Sequence, residues 1–237
     1  MDYILFPASE RGISDYGRLQ ANYSFSFASY YDLDKMGFGL LRVLNDDTIA
    51  AGKWFPPHGH ENMEIITIPQ SWALEHKDNT WWHGIVRVGD VQVMSAGSWV
   101  EHSEYNASDK ESAVLFQLWI DTKIPNIEPR YDQKSFGNVV EGSTALLVSN
   151  DGRQGSLVIH QDAFISRATI GSGKTADYSS YIKGNAVYIL LISGSIRILD
   201  CILWPKDAIG FMDIGDTVLS IEAEKGSDVL FIEVPKE

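Results

Sequence analysis

Short runs of alternating or wholly apolar residues, each closed by Gly, Asp, Asn, Ser or Pro, fill this chain and leave little room for helices. Val86-Arg87-Val88-Gly89-Asp90-Val91-Gln92-Val93-Met94 alternates with the period of two that places successive side chains on opposite faces of a strand, as does Leu157-Val158-Ile159-His160. Val187–Ile192 is apolar throughout. It is followed by Ser193-Gly194-Ser195, which reads as a turn, and by the strand-like Ile196–Leu199. Val218–Ile221 and Val229–Val234 read as two further strands. Many short strands with such punctuation make an all-β sandwich or barrel. Helical turns are expected only near Asp32–Met36 and Pro129–Phe136.

A chain of 237 residues holds one or two domains. A weak echo links Gly89-Asp90 and Met94 in one half to Lys206-Asp207 and Phe211 in the other, which favours a duplicated β-domain. The β pattern lapses between Lys123 and Gly142, around Pro125 and Pro129. The organisation read from this is a first domain over 1–125, a connection over 126–144 and a second domain over 145–237.

Composition narrows the function. Hydrophobic residues make up 44%, enough to build a core rather than a disordered chain. The longest clearly apolar run, Ala186–Ile192, is far short of the ~20 residues of a spanning helix. Nineteen Lys and Arg against 32 Asp and Glu give a net charge of −13, which repels phosphate backbones and argues against direct nucleic-acid binding. The same acidic balance favours a soluble monomer. A single cysteine, Cys201, can form neither an intramolecular disulfide nor a cysteine-based metal cluster. The N-terminus has no basic segment followed by a long apolar one. Together these features point to the cytoplasm.

The chemistry concentrates in two short patterns. Pro57-His58-Gly59-His60 puts two imidazoles on one face of a strand, and Glu64 follows four residues later. His102-Ser103-Glu104 does the same for an imidazole and a carboxylate. One such pair is common on protein surfaces. Two pairs, on strands that face each other, bring three nitrogens and an oxygen together, a donor set for Fe(II), Mn, Ni, Cu or Zn. His76, His83 and His160 have no such pairing and read as ordinary hydrogen-bonded or exposed histidines.

The spacing Gly52-x5-His58-x-His60-x3-Glu64 resembles the first motif of the cupins, with Ser71 where a closing Gly is usual. The second motif is looser: Gly89 and Gly97 are present, Ser95 replaces the usual Pro, and His102-x3-Asn106 closes it. That looser form resembles the pirin family in particular. So do Ser24–Asp32, Met36-Gly37-Phe38, Leu41–Asp47, His58–Ile65, Met94–Gly97, His102–Asn106, Pro129-Arg130-Tyr131 and Gly155-Ser156-Leu157 with His160-Gln161-Asp162. The likeness is strong over residues 10–165 and thin beyond.

The resemblance implies two cupin-type, jelly-roll domains in tandem. It implies one divalent metal, usually iron, in the N-terminal domain and a C-terminal domain without ligands. Carried over residue by residue, the ligands are His58, His60, His102 and Glu104, with Glu64 close by in a supporting role. It also implies a quercetinase-type activity, in which a flavonol is opened by O2 and Glu104 acts as general base. The alternative is a metal-binding regulatory protein that engages a protein partner without turnover. Trp72, Trp81 and Trp82 are expected at loop tips, as a pocket cover or as a contact surface. Phe25, Phe27, Tyr30, Tyr31, Phe38 and Trp99 are expected in the core.

Overall fold

The computed structural model describes residues 1–237: twenty strands, three single-turn 3-10 helices and no α-helix. Seven strands form the first sheet, in the spatial order Arg130–Ser135, Asp90–Ser95, Met63–Ser71, Ala113–Asp121, Leu41–Ile49, Leu19–Tyr23 and Gly12–Asp15. Four strands face it, in the order Trp54–His60, Val100–Asn106, Ala73–Asp78 and His83–Arg87. A nine-stranded sheet builds the second half and takes in Ile4–Phe6 from the N-terminus, paired to Ala208–Phe211.

Alternation along the strands sorts the side chains. In Met63–Ser71 and Ala113–Asp121, Ile66, Ile68, Phe116, Leu118 and Ile120 point to the second half, where they join Leu147, Tyr188, Leu190, Leu230 and Ile232 in a 25-residue buried cluster. The two halves therefore share their largest core. The second half is also filled inside, by 17 buried residues such as Ile189, Phe211, Ile221 and Phe231. The interior of the first half is different. It holds only two small apolar clusters, of five and four buried residues, and between them buried polar groups and open space.

Several expectations change. Ser193-Gly194-Ser195 is not a turn: Ala186–Ile198 is one 13-residue strand. Its register against Leu219–Val234 shifts around Ser193 and Ser195, with Gly194 at φ 93°. A bulge bends a strand without ending it, and glycine permits the left-handed backbone. Leu219–Val234 is likewise one 16-residue strand rather than two. The 3-10 turn Leu33–Lys35 lies where a helical turn was expected, and Asp32 accepts from the Asp34 N–H to cap it. Arg130–Ser135, in contrast, is a strand along Asp90–Ser95 and not a helical turn. It lacks an apolar stripe because both its faces bond to polar groups. Arg130 and Lys134 donate to the carbonyls of Val158 and Gly155 across the domain junction. On the other face, Tyr131 bonds to Gln92 and Gln133. Tyr31 and Trp99 are surface residues rather than core, 69% and 51% exposed. Phe25 and Phe38 are buried as expected, and Phe27 and Tyr30 are half-buried.

Candidate metal centre

His58 and His102 lie directly opposite each other on neighbouring antiparallel strands, and one step along the ladder Glu104 pairs with Phe55. The ladder slips between these two pairs, at Pro56-Pro57, where no backbone N–H is available to continue it. His60 follows on the same face. Gly59 between the two histidines leaves room for the Trp99 ring: a Cβ there would fall about 2.1 Å from it and push it aside. That ring lies across the outer face of the strand, which explains why Trp99 is not in the core.

The three ring nitrogens converge. His102 Nε2 is 2.9 Å from His60 Nε2 and 3.0 Å from His58 Nε2. With metal–nitrogen bonds of about 2.1 Å, ligands at right angles lie about 3.0 Å apart and tetrahedral ones about 3.4 Å. The spacing fits neighbouring corners of an octahedral ion. The donor chemistry fits too. Burial, then the charge of His58, pushes the His60 pKa down to about 3, and the same causes lower that of His102 further. Both rings are therefore neutral near pH 7, the form that binds a metal. His58 Nδ1 lies 2.9 Å from the Pro56 carbonyl, which takes its N–H and leaves Nε2 bare.

Glu104 is fully buried beside His102, near enough to His58 and His76 for both to act on its charge. It groups with His102 and His76, their donor atoms within 4.8 Å of one another, whereas His58, His60 and His102 form a separate group of the same span. His102 belongs to both. Gln117 Nε2 donates to both Glu104 oxygens, at 3.0 and 3.1 Å, and Gln117 Oε1 accepts from Trp119 Nε1 at 2.9 Å. Burial raises the Glu104 pKa, and His58 and His76 act against the rise. A carboxyl group so placed is a stronger base than one in water.

Glu64 is elsewhere. It shares a strand face with Ile66 and Ile68, which point into the core between the halves. It accepts from Ser95 Oγ at 2.7 Å and Thr122 Oγ1 at 3.0 Å, with His160 Nδ1 at 3.8 Å. The expectation of a supporting role beside the histidines is corrected by strand parity: the metal-facing side of this sheet carries Ile65, not Glu64. His160 helps pin the junction, and His83 pairs with Glu75 on the surface.

His76, read from sequence as ordinary, is completely buried beside the site, with its Nδ1 3.4 Å from His102 Nδ1. The signal was available. His76-x-Asp78 is an i,i+2 pair of the same kind as His102-x-Glu104, and the two pairs lie opposite each other, His102 to Asp78 and Glu104 to His76. The tryptophans divide. Trp81 is 95% exposed and Trp72 is also at the surface. Trp82 stacks on Tyr131 and meets the His76 ring edge-on, so it covers that flank.

A cavity of about 240 Å³ reaches His58 from the other side. Its walls include Tyr23, Phe27, Phe55 and Trp119, and its polar lining includes Asn45, Asp47 and Gln117. Asp47 is buried, with Oδ1 unpaired. Burial, then the nearby Glu104 and Asp46, raises its pKa well above the ordinary range. A carboxyl group that stays protonated in the folded chain but ionises when unfolded lowers stability as pH rises above about 3.9. Asp47→Asn should therefore melt higher than the parent. The gap should widen by up to about 1.4 kcal/mol per pH unit above pH ~4, until the folded carboxyl ionises. Thermal melts of both proteins across pH 4–7 check this, and a gap that shrinks with pH would contradict it.

A filled barrel joined to a hollow one, with imidazoles converging inside the hollow one, defines a two-domain cupin with a candidate metal centre. The chain belongs to the pirin family. The Pirin family model matches residues 7–120 and the quercetinase C-terminal cupin domain matches residues 146–234. The quercetin 2,3-dioxygenase of Escherichia coli K12 is 37% identical over 231 residues, 98% of each chain. A pirin-like protein of Caulobacter vibrioides is 36% identical over 229 residues, 96% of this chain and 97% of that one. Among solved structures, the bacterial pirin YhhW of E. coli in complex with nickel(II) superposes with a TM-score of 0.93 at 36% identity, covering 100% of both chains. No helix is long and apolar enough to cross a membrane.

Proposed function

We propose that the protein is a metal-dependent dioxygenase of the quercetinase type, with His58, His60, His102 and Glu104 holding one divalent transition metal. The observation that carries this reading is the convergence of three imidazole nitrogens, with His102 Nε2 within 3.0 Å of both His58 Nε2 and His60 Nε2, beside an aromatic-walled cavity. The nickel(II) bound by YhhW and the activity named for the E. coli relative support it. Iron(II) is the metal favoured for the O2 chemistry. Such an ion, when bound by these residues, would supply Lewis acidity toward a substrate hydroxyl and the redox chemistry that O2 requires.

The chain's own residues do the rest. Phe27, Phe55 and Trp119 present flat apolar surface to a planar flavonol and keep water out. Glu104, made more basic by burial, takes the proton of the flavonol hydroxyl on a carboxylate oxygen. Gln117 holds the two oxygens in place while it does so. Net, O2 adds to the deprotonated flavonol, its central ring opens and carbon monoxide leaves.

The test is aerobic. Protein loaded with Fe(II), Mn(II) or Ni(II) is given a flavonol while O2 and the flavonol absorbance are followed together. Matched consumption of both is expected. Absence of flavonol-dependent O2 uptake with every metal would favour the regulatory reading, in which the exposed Trp81 on an acidic protein marks a surface for a protein partner.

A further inference from the structure

We infer that a single halide ion, chloride under ordinary conditions, binds in a small cavity at the seam between the two halves, held by Arg11, Ser24, Tyr188 and Lys206. None of these residues lines the cavity at His58, so the inference is independent of the metal reading.

The path of the N-terminus sets the place. Ile4–Phe6 pairs with Ala208–Phe211 in the second half, and Gly12–Asp15 pairs with Leu19–Tyr23 in the first. The stretch between them, with its 3-10 turn Ala8–Glu10, crosses the seam and ends on Arg11. There Arg11 meets Ser24 from the first half, and Tyr188 and Lys206 from the second, around a cavity of about 10 Å³. That is room for one water-sized particle.

Donors without partners line it. The Arg11 side chain is 7% exposed. Its Nη2 donates to the Asn22 carbonyl at 2.9 Å and its Nη1 lies 3.7 Å from Asp46 Oδ2, but Nε is buried with no partner. Ser24 Oγ is also buried and unpartnered. The hydroxyl of the buried Tyr188 reaches toward Ser24 without closing a hydrogen bond of ordinary geometry. A buried polar atom left without a protein partner calls for a water or an ion.

Charge decides between the two. Arg11, Lys35 and Lys206 all line the cavity, and the one lining carboxylate, Glu10, is 60% exposed and turned to Lys35 at 3.4 Å. The other carboxylates nearby are committed. Asp46 Oδ2 bridges Arg11 and Lys206, 3.0 Å from Lys206 Nζ. Asp207 accepts from the backbone N–H groups of Ala8 and Trp204. Burial pulls the Arg11 pKa below its ordinary value, and the charge of Asp46 only partly offsets this. A positive charge is therefore buried here without full compensation, in a chain whose net charge is −13. Water would accept from Arg11 Nε, but it brings two hydrogens into a lining where guanidinium and ammonium groups only donate. A monatomic anion accepts from every side and adds the missing charge. A polyatomic anion such as phosphate needs more room than one particle. Bonded to Arg11, Ser24 and Tyr188 together, the halide would pin the crossing stretch to both halves.

Crystals of the full chain grown with sodium bromide and measured at the bromine absorption edge should show an anomalous peak in contact with Arg11 Nε and Ser24 Oγ. In solution, chloride should replace gluconate, an anion too bulky for the cavity, at constant ionic strength. The melting temperature should rise by roughly 3–5 °C for each tenfold increase of chloride above its dissociation constant. Ser24→Ala removes one donor and should weaken halide binding about tenfold, moving that response to higher chloride. If Ser24→Ala does not fold, Tyr188→Phe, which removes the other hydroxyl, carries the same expectation. No bromide peak in the cavity would overturn the inference. So would a peak in the crystal with equal melting temperatures in chloride and gluconate, which would mark an adventitious ion only. A chloride response in the folded variant equal to that of wild type would overturn it as well.

Discussion

Replacing His58 and His60 together by alanine should take the purified protein from about one metal ion per chain to a small fraction of that. Both side chains present Nε2 to His102 at 3.0 Å or less, and only His102 and Glu104 would remain of the proposed set. Two donors hold a first-row ion far more weakly than four, and these two are partly committed, Glu104 to Gln117 and His102 to His76. The barrel itself should persist. Its walls are tied by the apolar clusters around Leu115 and Ile65 and by the core shared between the halves. Elemental analysis, with circular dichroism as the control for folding, reads the outcome. A second readout is thermal stability: a ligand at 100 times its dissociation constant adds about 2.7 kcal/mol to a folded protein. Added nickel should thus raise the melting temperature of wild type and leave that of the double variant unmoved. Full retention of metal in the folded double variant would remove the assignment of these two histidines.

Glu104→Gln should separate binding from chemistry. The three imidazoles stay in place, so most of the metal should be retained. Turnover of a flavonol should fall by about 10²–10⁴-fold, the usual contribution of a positioned base. The environment makes this contrast sharp. Glu104 is fully buried, and no lysine or arginine is among the groups that shift its pKa. Its basicity is thus set by burial, against which His58, His76 and Gln117 act, and a glutamine in the same place cannot take a proton. Gln117 Nε2 keeps its bond to the amide oxygen of the new side chain and loses only the one to the other carboxylate oxygen, so the bond from Trp119 Nε1 to Gln117 Oε1 stays. KM for the flavonol should therefore change little while kcat falls, because Trp119 lines the cavity. Steady-state kinetics on metal-quantified samples give both. Unchanged kcat would end the role of Glu104 as base. Lost metal with proportionate loss of rate would reduce it to a ligand.

The family likeness and the all-β class were legible in the sequence because both are written in local order. Alternation along a strand fixes which side chains share a face, and it needs no partner strand to be read. That is why His58 with His60, and His102 with Glu104, stood out as pairs. What lay across the sheet did not. His76 and Asp78 carry the same spacing, yet they matter only because their strand lies beside Val100–Asn106 in a register that sets His76 against Glu104 and Asp78 against His102. Register is a tertiary fact, and a slip of one residue would turn both side chains away. Glu64 failed for the complementary reason. Four residues of separation from His60 placed it near in the chain, while parity within Met63–Ser71 sent it to the opposite face of the sheet. The strand Arg130–Ser135 was hidden because its partners are polar on both faces, so no apolar rhythm marks it. Ser193–Ser195 reads as a turn by composition, but the neighbouring strand continues to pair on both sides of it, and the bend is absorbed as a bulge. The sequence by itself determined strand content, the family and the identity of four candidate donors, since each is a property of a few adjacent residues. Only the tertiary structure decided which barrel is hollow, which face each carboxylate takes and which groups flank the histidines, because these depend on side chains brought together across the sheets from distant parts of the chain.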